Sequence, residues 1–225
     1  MNRFGKIFSG NKKALIVLDC AGAPDMQTSE KRIAEILNAG ADIVELGIPF
    51  SDPMADGDAI QKAYQQALQN GADLSKIINM LKKLRQNYPA AGLIISGYSN
   101  IFLQYGYEKL FADLAALEID ALRILDLPCE EFAEIAPFAE KYNIQIVIAV
   151  SKSTPPERLS KLLGMPGSIV YCDDPAGADA VRKLTTLPIA MKHDNSFNAM
   201  IIDEAAVKTP CDKLAGVIAG YKNKL

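Results

Sequence analysis

Short, nearly unbroken apolar runs recur along this chain, separated by segments in which apolar residues return every three or four positions. The runs are Ala14–Leu18, Ile43–Leu46, Gly92–Ser96, Ala121–Leu125, Gln145–Val150, Ser168–Tyr171, Pro188–Met191 and Ala199–Ile202. Strands half-exposed on one face alternate apolar and polar residues, whereas these do not, so they are expected to be covered on both faces. Between them the spacing predicts helices over Thr28–Asn38, Ala59–Asn70, Leu74–Asn87, Tyr107–Leu117, Glu130–Tyr142, Pro156–Leu163, Asp179–Leu184 and Asp212–Tyr221. Ile33, Ile36 and Leu37 form the apolar stripe of the first, and Ile77, Met80, Leu81 and Leu84 that of the third. Regular β–α alternation with about eight strands predicts a (β/α)8 TIM barrel, an α/β fold, with an open doubly wound sheet as the alternative. The turn Ala21-Gly22-Ala23-Pro24 after the first strand is not a G-x-G-x-x-G fingerprint, which weakens the open sheet. No linker or composition shift divides the chain, so residues 1–225 are expected to form one domain.

The end of the pattern is abbreviated around strands 7 and 8. Only Lys192–Asn198 separates the last two strand candidates, whereas a helical crossover needs a dozen residues or more. Seven extended residues reach roughly 23 Å, enough to return to the far end of a barrel without a helix. Alternatively Phe197, Met200, Ile201 and Ala205 share one helical face, and Ser196–Lys208 is a helix with no eighth strand.

Bulk composition removes several function classes. A net charge of −3 with no Lys/Arg run leaves no electrostatic footprint for nucleic acid. Cys20, Cys129, Cys172 and Cys211 form no C-x-x-C pair, and one histidine cannot complete a Cys/His metal site, so no metal and free thiols are expected. The apolar run ended by Asp19 is too short for a signal peptide or a membrane span; a cytoplasmic protein without membrane contact is expected.

Candidate chemistry concentrates in Glu45-Leu-Gly-Ile-Pro-Phe-Ser-Asp-Pro-Met-Ala-Asp56-Gly57. One carboxylate closes an apolar strand, and Asp52 and Asp56 follow on a loop braced by Pro49, Pro53 and Gly57. Carboxylates facing each other at the carboxyl end of a parallel strand are an acid–base arrangement; solvated loop carboxylates are the plainer alternative.

This run, with Gly22-Ala-Pro24, Asn38-Ala-Gly-Ala-Asp42, Gly97-Tyr98-Ser99-Asn100, Tyr105-Gly106 and Asp126-Leu-Pro128-Cys-Glu-Glu131, resembles the tryptophan synthase α chain family. The resemblance extends from about Leu18 to Tyr171. It implies retro-aldol cleavage of indole-3-glycerol phosphate into indole and glyceraldehyde 3-phosphate, without a cofactor, and delivery of indole to a PLP-dependent β-type chain. Glu45 falls at the family's catalytic glutamate and Asp56 at its catalytic aspartate. Protonating indole C3 and deprotonating the neighbouring hydroxyl suit a strand-end carboxyl such as Glu45, while an ionised Asp56 would accept the ring N–H bond. Both are expected to face one cavity at the ends of the second to fourth strands. The resemblance further places Tyr98 and Tyr171 at the indole pocket, the latter's hydroxyl holding the glutamate. It places Asn100 and Asp126 in support of the site, Leu18 and Leu125 on its apolar walls, and Asp52 and Pro53 against the β-type chain.

The pattern departs at the phosphate end. Where the family has glycine-rich strand ends, this chain has Met191-Lys192-His193-Asp194 and Asp203-Glu204, with Lys192 as the remaining candidate for the phosphate. Carboxylates there oppose a dianion. Three readings stay open: an α-type lyase with altered phosphate contacts, a lyase of the same scaffold on a non-phosphorylated indole-like substrate, or a weak enzyme that docks and stimulates a β-type chain.

Overall fold

The computed structural model describes residues 3–10, 12–165 and 167–225, and of Ser168 the backbone alone. Among the described residues, parallel strands β1 (Ala14–Cys20), β2 (Ile43–Gly47), β3 (Gly92–Gly97), β4 (Ala121–Ile124), β5 (Gln145–Val150), β6 (Gly167–Cys172), β7 (Ile189–Lys192) and β8 (Ala199–Ile202) close into a barrel in chain order. β8 pairs with both β7 and β1, from Ala190↔Ala199 to Ile16↔Ile201 and Val17↔Ile202, so the eighth strand is present and the alternative helix is not. Residues 193–198 span the gap without a helix. The Asn198 side-chain oxygen accepts from Ile189 N–H at 3.0 Å, and its carbonyl accepts from Ala14 N–H at 2.9 Å.

Alternation along the strands sorts the apolar residues into two layers. Ala14, Ile16, Ile43, Ile94, Ala121, Val147, Ile169, Tyr171, Ala190, Ala199 and Ile201 fill the barrel interior. Leu15, Val17, Val44, Leu46, Leu93, Ile95 and Leu122 face the helices. Both faces are buried, which is why the strands read as continuous apolar runs. A short helix, α1 (Arg3–Ile7), closes the amino-terminal end of the barrel: Phe4 is 3% exposed and packs in the interior cluster with Ile7 and Phe8.

The outer layer contains α2 (Met26–Asn38), α3 (Asp58–Gln69), α4 (Leu74–Asn87), α5 (Ser99–Tyr105), α6 (Tyr107–Ala116), α7 (Ala136–Tyr142), α8 (Pro156–Leu163), α9 (Pro175–Arg182), α10 (Glu204–Val207) and α11 (Cys211–Lys222). The helix expected over Glu130–Tyr142 is a 3₁₀ turn, Cys129–Glu134, followed by α7, whose second residue is Pro137. Proline lacks the N–H a continuous helix would need there. The helix expected from Asp179 begins at Pro175, because Asp174 caps it by accepting from Gly177 N–H at 2.9 Å and proline suits the first helical position.

Candidate active site

β2, β4 and β6 each present one polar side chain to the barrel interior above the apolar floor: Glu45, Arg123 and Tyr171. Alternate strands of a barrel fill one layer together, so these three meet. Glu45 has no exposed surface, and Arg123 Nη1 donates to Glu45 Oε1 at 3.0 Å. The Arg123 guanidinium lies 5.0 Å from the centre of the Tyr171 ring. Burial opposes the charge of Arg123, but Glu45, through its charge and hydrogen bond, and nearby Tyr171 raise its pKa above the ordinary value. Glu45 Oε2, Arg123 Nε and Tyr171 Oη are buried without a hydrogen-bond partner.

The glutamate is thus held by Arg123, with the expected Tyr171 hydroxyl beside it. Burial, with the charge of Glu45 beside it, pushes the Tyr171 phenol far above its ordinary range.

Asp56 reaches the same region from the β2–α3 loop. Tyr98, 2% exposed at the end of β3, donates its hydroxyl to Asp56 Oδ2 at 2.7 Å and accepts from Ala55 N–H at 3.0 Å. Phe50 stacks on the Tyr98 ring at 5.0 Å. Burial raises the Asp56 carboxyl above its ordinary value and Glu45 adds to that, while the Tyr98 bond and the charges of Arg123 and Lys192 pull it down. The Glu204 carboxylate of α10 lies against the loop at Gly57. A Cβ on Gly57 would lie 1.7 Å from Glu204 Oε1, so the carboxylate occupies space that only glycine leaves open.

A cleft of about 780 Å³ opens beside these groups, lined among others by Ala55, Arg123, Leu125, Asp126, Tyr171 and Lys192. Glu45 and Asp56, expected to face one cavity, are both absent from the cleft-lining residues, and Glu45 is fully enclosed. Its neighbours Arg123 and Tyr171 form the wall. Because β4 and β5 pair only through Ala121↔Gln145 and Leu122↔Ile146, the barrel wall parts there, and residues from both faces of β5, Val147 and Ile148, line one cleft.

The other expected site residues divide by position. Leu18 is buried in the cluster holding Cys20, Tyr64 and Tyr98, and Leu125 lies on the cleft. Asp126 also borders it and accepts from Ser99 N–H at 2.7 Å and Ser99 Oγ at 2.8 Å. Asn100 is exposed in the first turn of α5 and accepts from Gln104 Nε2 at 3.3 Å, away from the cleft-lining residues. Asp52 is exposed and Pro53 half-buried on the loop, next to Met54, which is 84% exposed. Lys192 borders the cleft but is ion-paired with Asp203, whose other oxygen is 3.5 Å from His193 Nε2. Burial would raise the Asp203 carboxyl, yet the Lys192 hydrogen bond and charge hold it below its ordinary value. Among the described residues no His, Cys, Asp and Glu side chains gather into a metal-binding group, and no helix is long and apolar enough to cross a membrane.

Arg123 escaped the strand-by-strand reading. The signal was there: a lone cation inside the apolar run Ala-Leu-Arg-Ile-Leu of a strand covered on both faces must find a carboxylate.

The sequence profile of the tryptophan synthase alpha chain matches residues 4–192. The chain belongs to that family. A tryptophan synthase alpha chain of Geotalea uraniireducens is 35% identical over 179 residues, 80% of this chain and 67% of that one. One from Chloroflexus aggregans is 34% identical over 194 residues, 84% of this chain and 73% of that one. A structure from Aquifex aeolicus superposes with a TM-score of 0.93 at 26% identity, covering 100% of this chain and 99% of that one. Tryptophan synthase from M. tuberculosis in an open form with BRD0059 bound shares the fold, with a TM-score of 0.92 at 23% identity, covering 98% of this chain and 97% of that one. The family match stops at Lys192, while the folds agree to the end of the chain: the barrel is conserved past the point where the family's sequence pattern is lost.

Proposed function

We propose that this chain is a carbon–carbon lyase that cleaves indole-3-glycerol phosphate into indole and glyceraldehyde 3-phosphate. Glu45 is the proton-transferring carboxyl, and Asp56 accepts the hydrogen bond of the ring N–H. Family membership, joined to the meeting of Glu45, Asp56, Tyr98 and Tyr171 at the carboxyl ends of the strands, supports this assignment. The developing positive charge on the ring is favoured by an ionised Asp56. Tyr98 donates to that carboxylate, and a hydrogen bond to the charged form favours it. Leu18 and Leu125 supply apolar surface for the ring, and Lys192, on the cleft, is the candidate cation for the phosphate end.

The partner is a PLP-dependent β-type chain that docks against the exposed Asp52-Pro53-Met54 segment. The protein works in the cytoplasm as a single domain. Turnover of the purified chain with indole-3-glycerol phosphate tests the assignment. Glu45→Gln is expected to lower it by ~10²–10⁴ or more, the usual worth of a general acid–base group, and Asp56→Asn to lower it with some activity left. Unchanged turnover in both variants refutes the assignment.

The acidic phosphate end favours a refinement. Asp203 and Glu204 stand where a dianion would need donors, and Asp203 already occupies Lys192. Phosphate therefore adds little affinity. The dephosphorylated substrate is expected to bind about as well, and markedly tighter binding of the phosphorylated form in calorimetry would refute this.

A further inference from the structure

We propose that the cleft between β4 and β5 is a pocket for a substituent on the substrate's aromatic ring, one that carries a neutral hydrogen-bond acceptor received by Arg123. Arg123 and Ala149 are the specificity-determining residues of this pocket. The proposal rests on the lyase assignment above and adds to it the class of ring the enzyme takes.

The room comes from the parted wall. β3 and β4 pair as far as Gly97↔Ile124, but β4 and β5 stop at Leu122↔Ile146, so the sheet is open beyond that point. Ala149 lies on the inward face of β5, two residues after Val147 of the interior cluster, and it is exposed. A small, exposed residue on a strand that is otherwise covered leaves that side of the barrel mouth unfilled. Through the opening the cleft reaches Ile135, Ile148 and Leu162, which pack on the helix side of the sheet. Its volume of about 780 Å³ is in the range that holds a whole drug-sized molecule, more than a bare bicyclic ring fills. Ala55, beside Asp56, and Leu125 both border the cleft, so the far edge of a ring bound at Asp56 is directed into it.

Arg123 supplies the polar end. Among the described residues its Nη1 alone has an acceptor, Glu45 Oε1 at 3.0 Å, and Nε is buried without one. The remaining Nε–Nη2 edge is the one that Arg32 sets against the Asp19 carboxylate, at 2.9 and 3.0 Å. A buried donor without a partner is costly, and an acceptor brought by the ligand removes that cost. The other charged groups favour a neutral acceptor over an anion. Lys192 is engaged by Asp203 and Arg158 by Glu130, whereas Asp126 and Asp173 border the cleft outside any ion pair among the described residues. An anionic substituent would face these two aspartates; an amide or ketone oxygen accepts from Arg123 without their repulsion.

Calorimetry with three kinds of ligand tests this: indole, indole carboxamides substituted at each benzo carbon, and the matching isopropyl indoles, similar in shape but without an acceptor. In the wild type the best carboxamide is expected to bind at least tenfold tighter than indole. It should also bind about tenfold tighter than its isopropyl counterpart, the worth of one hydrogen bond from a charged donor. Arg123→Lys keeps a cation beside Glu45 but loses the planar edge, so the carboxamide should fall to the isopropyl level. Ala149→Leu, with Ala149→Val as a second variant, should weaken both substituted ligands tenfold or more relative to indole. An arginine that only supports the fold would lower Tm and leave the carboxamide-to-isopropyl ratio in place. Unmoved ratios in either variant, or a wild type that binds no substituted indole better than indole itself, overturn the proposal. The matching glycerol phosphates separate it from the reading beneath it: if none is cleaved, the lyase assignment fails, and the binding ratios still decide the pocket.

Discussion

Replacing Tyr98 by phenylalanine isolates one interaction. The ring keeps its stacking on Phe50, so packing is preserved and only the hydroxyl is lost. That hydroxyl donates to Asp56 at 2.7 Å and serves as acceptor for Ala55 N–H at 3.0 Å. A hydrogen bond to a charged group is worth ~1.5–3 kcal/mol and one between neutral groups ~0.5–1.5 kcal/mol. Asp56 is only half-buried and Ala55 is exposed, so water recovers part of both, and roughly 1–2 kcal/mol should remain. For a chain of this length each kcal/mol lowers Tm by ~2–4 °C, giving a loss of ~2–8 °C near neutral pH. The sign with pH follows from Asp56. Burial already holds its folded pKa above the unfolded value, and loss of the hydroxyl raises it further. Extra destabilisation is therefore full above the folded pKa, where the carboxylate must exist without its donor. It disappears as pH falls below the wild-type folded pKa, where Asp56 is protonated in both folded proteins. Thermal denaturation of both proteins at neutral and acid pH measures it. A Tm difference that stays constant with pH would refute the claim that the hydroxyl acts on the Asp56 charge.

Three further outcomes are expected. Gly57→Ala should destabilise by ~1 kcal/mol, because the new Cβ displaces the Glu204 carboxylate, and Gly57→Ala/Glu204→Ala should recover most of it; equal Tm losses in both would place the cost in the loop backbone instead. Asp203→Asn should cost roughly 1 kcal/mol at neutral pH, reduced by the exposure of Lys192. Because the folded pKa of Asp203 is depressed, that stability is present above the unfolded pKa and lost as pH falls through the folded value, so a difference that grows on acidification would be the wrong sign. Phe4→Ala should cost ~3 kcal/mol or more by opening a cavity at the barrel floor, read by chemical denaturation, and a change under 1 kcal/mol would mean the floor collapses to fill it.

The barrel was legible because the strands are apolar on both faces, whereas the abbreviated β8 in Ala-Met-Ile-Ile read equally well as part of a helix until its pairing with β1 and β7 decided it. Segments whose stability comes from where they dock were not. α1 is five residues long and is held by Phe4 in the floor, and α5 begins directly after Tyr98 with no side-chain cap. Neither carries enough period to be read alone. In the candidate site, Glu45, Asp56 and Tyr98 were legible as candidates through the motifs at β2 and after β3. Arg123 was not, because its partner lies on a strand distant in sequence and only barrel closure brings the two together.

The floor helix also bears on biosynthesis. Phe4 is made well before its seat, which includes Ile169, Ala190, Ala199 and Ile201. At ~5–20 residues per second, the ribosome extends the chain for roughly 10–40 s before that seat can be complete. During that interval the amino-terminal segment Phe4–Phe8 has no finished surface to bury against, and an apolar segment so exposed is one that chaperones bind. Fusing a bulky folded tag directly to this end would prolong the exposure, whereas the carboxyl terminus, after α11 on the outer layer, leaves the floor free to close.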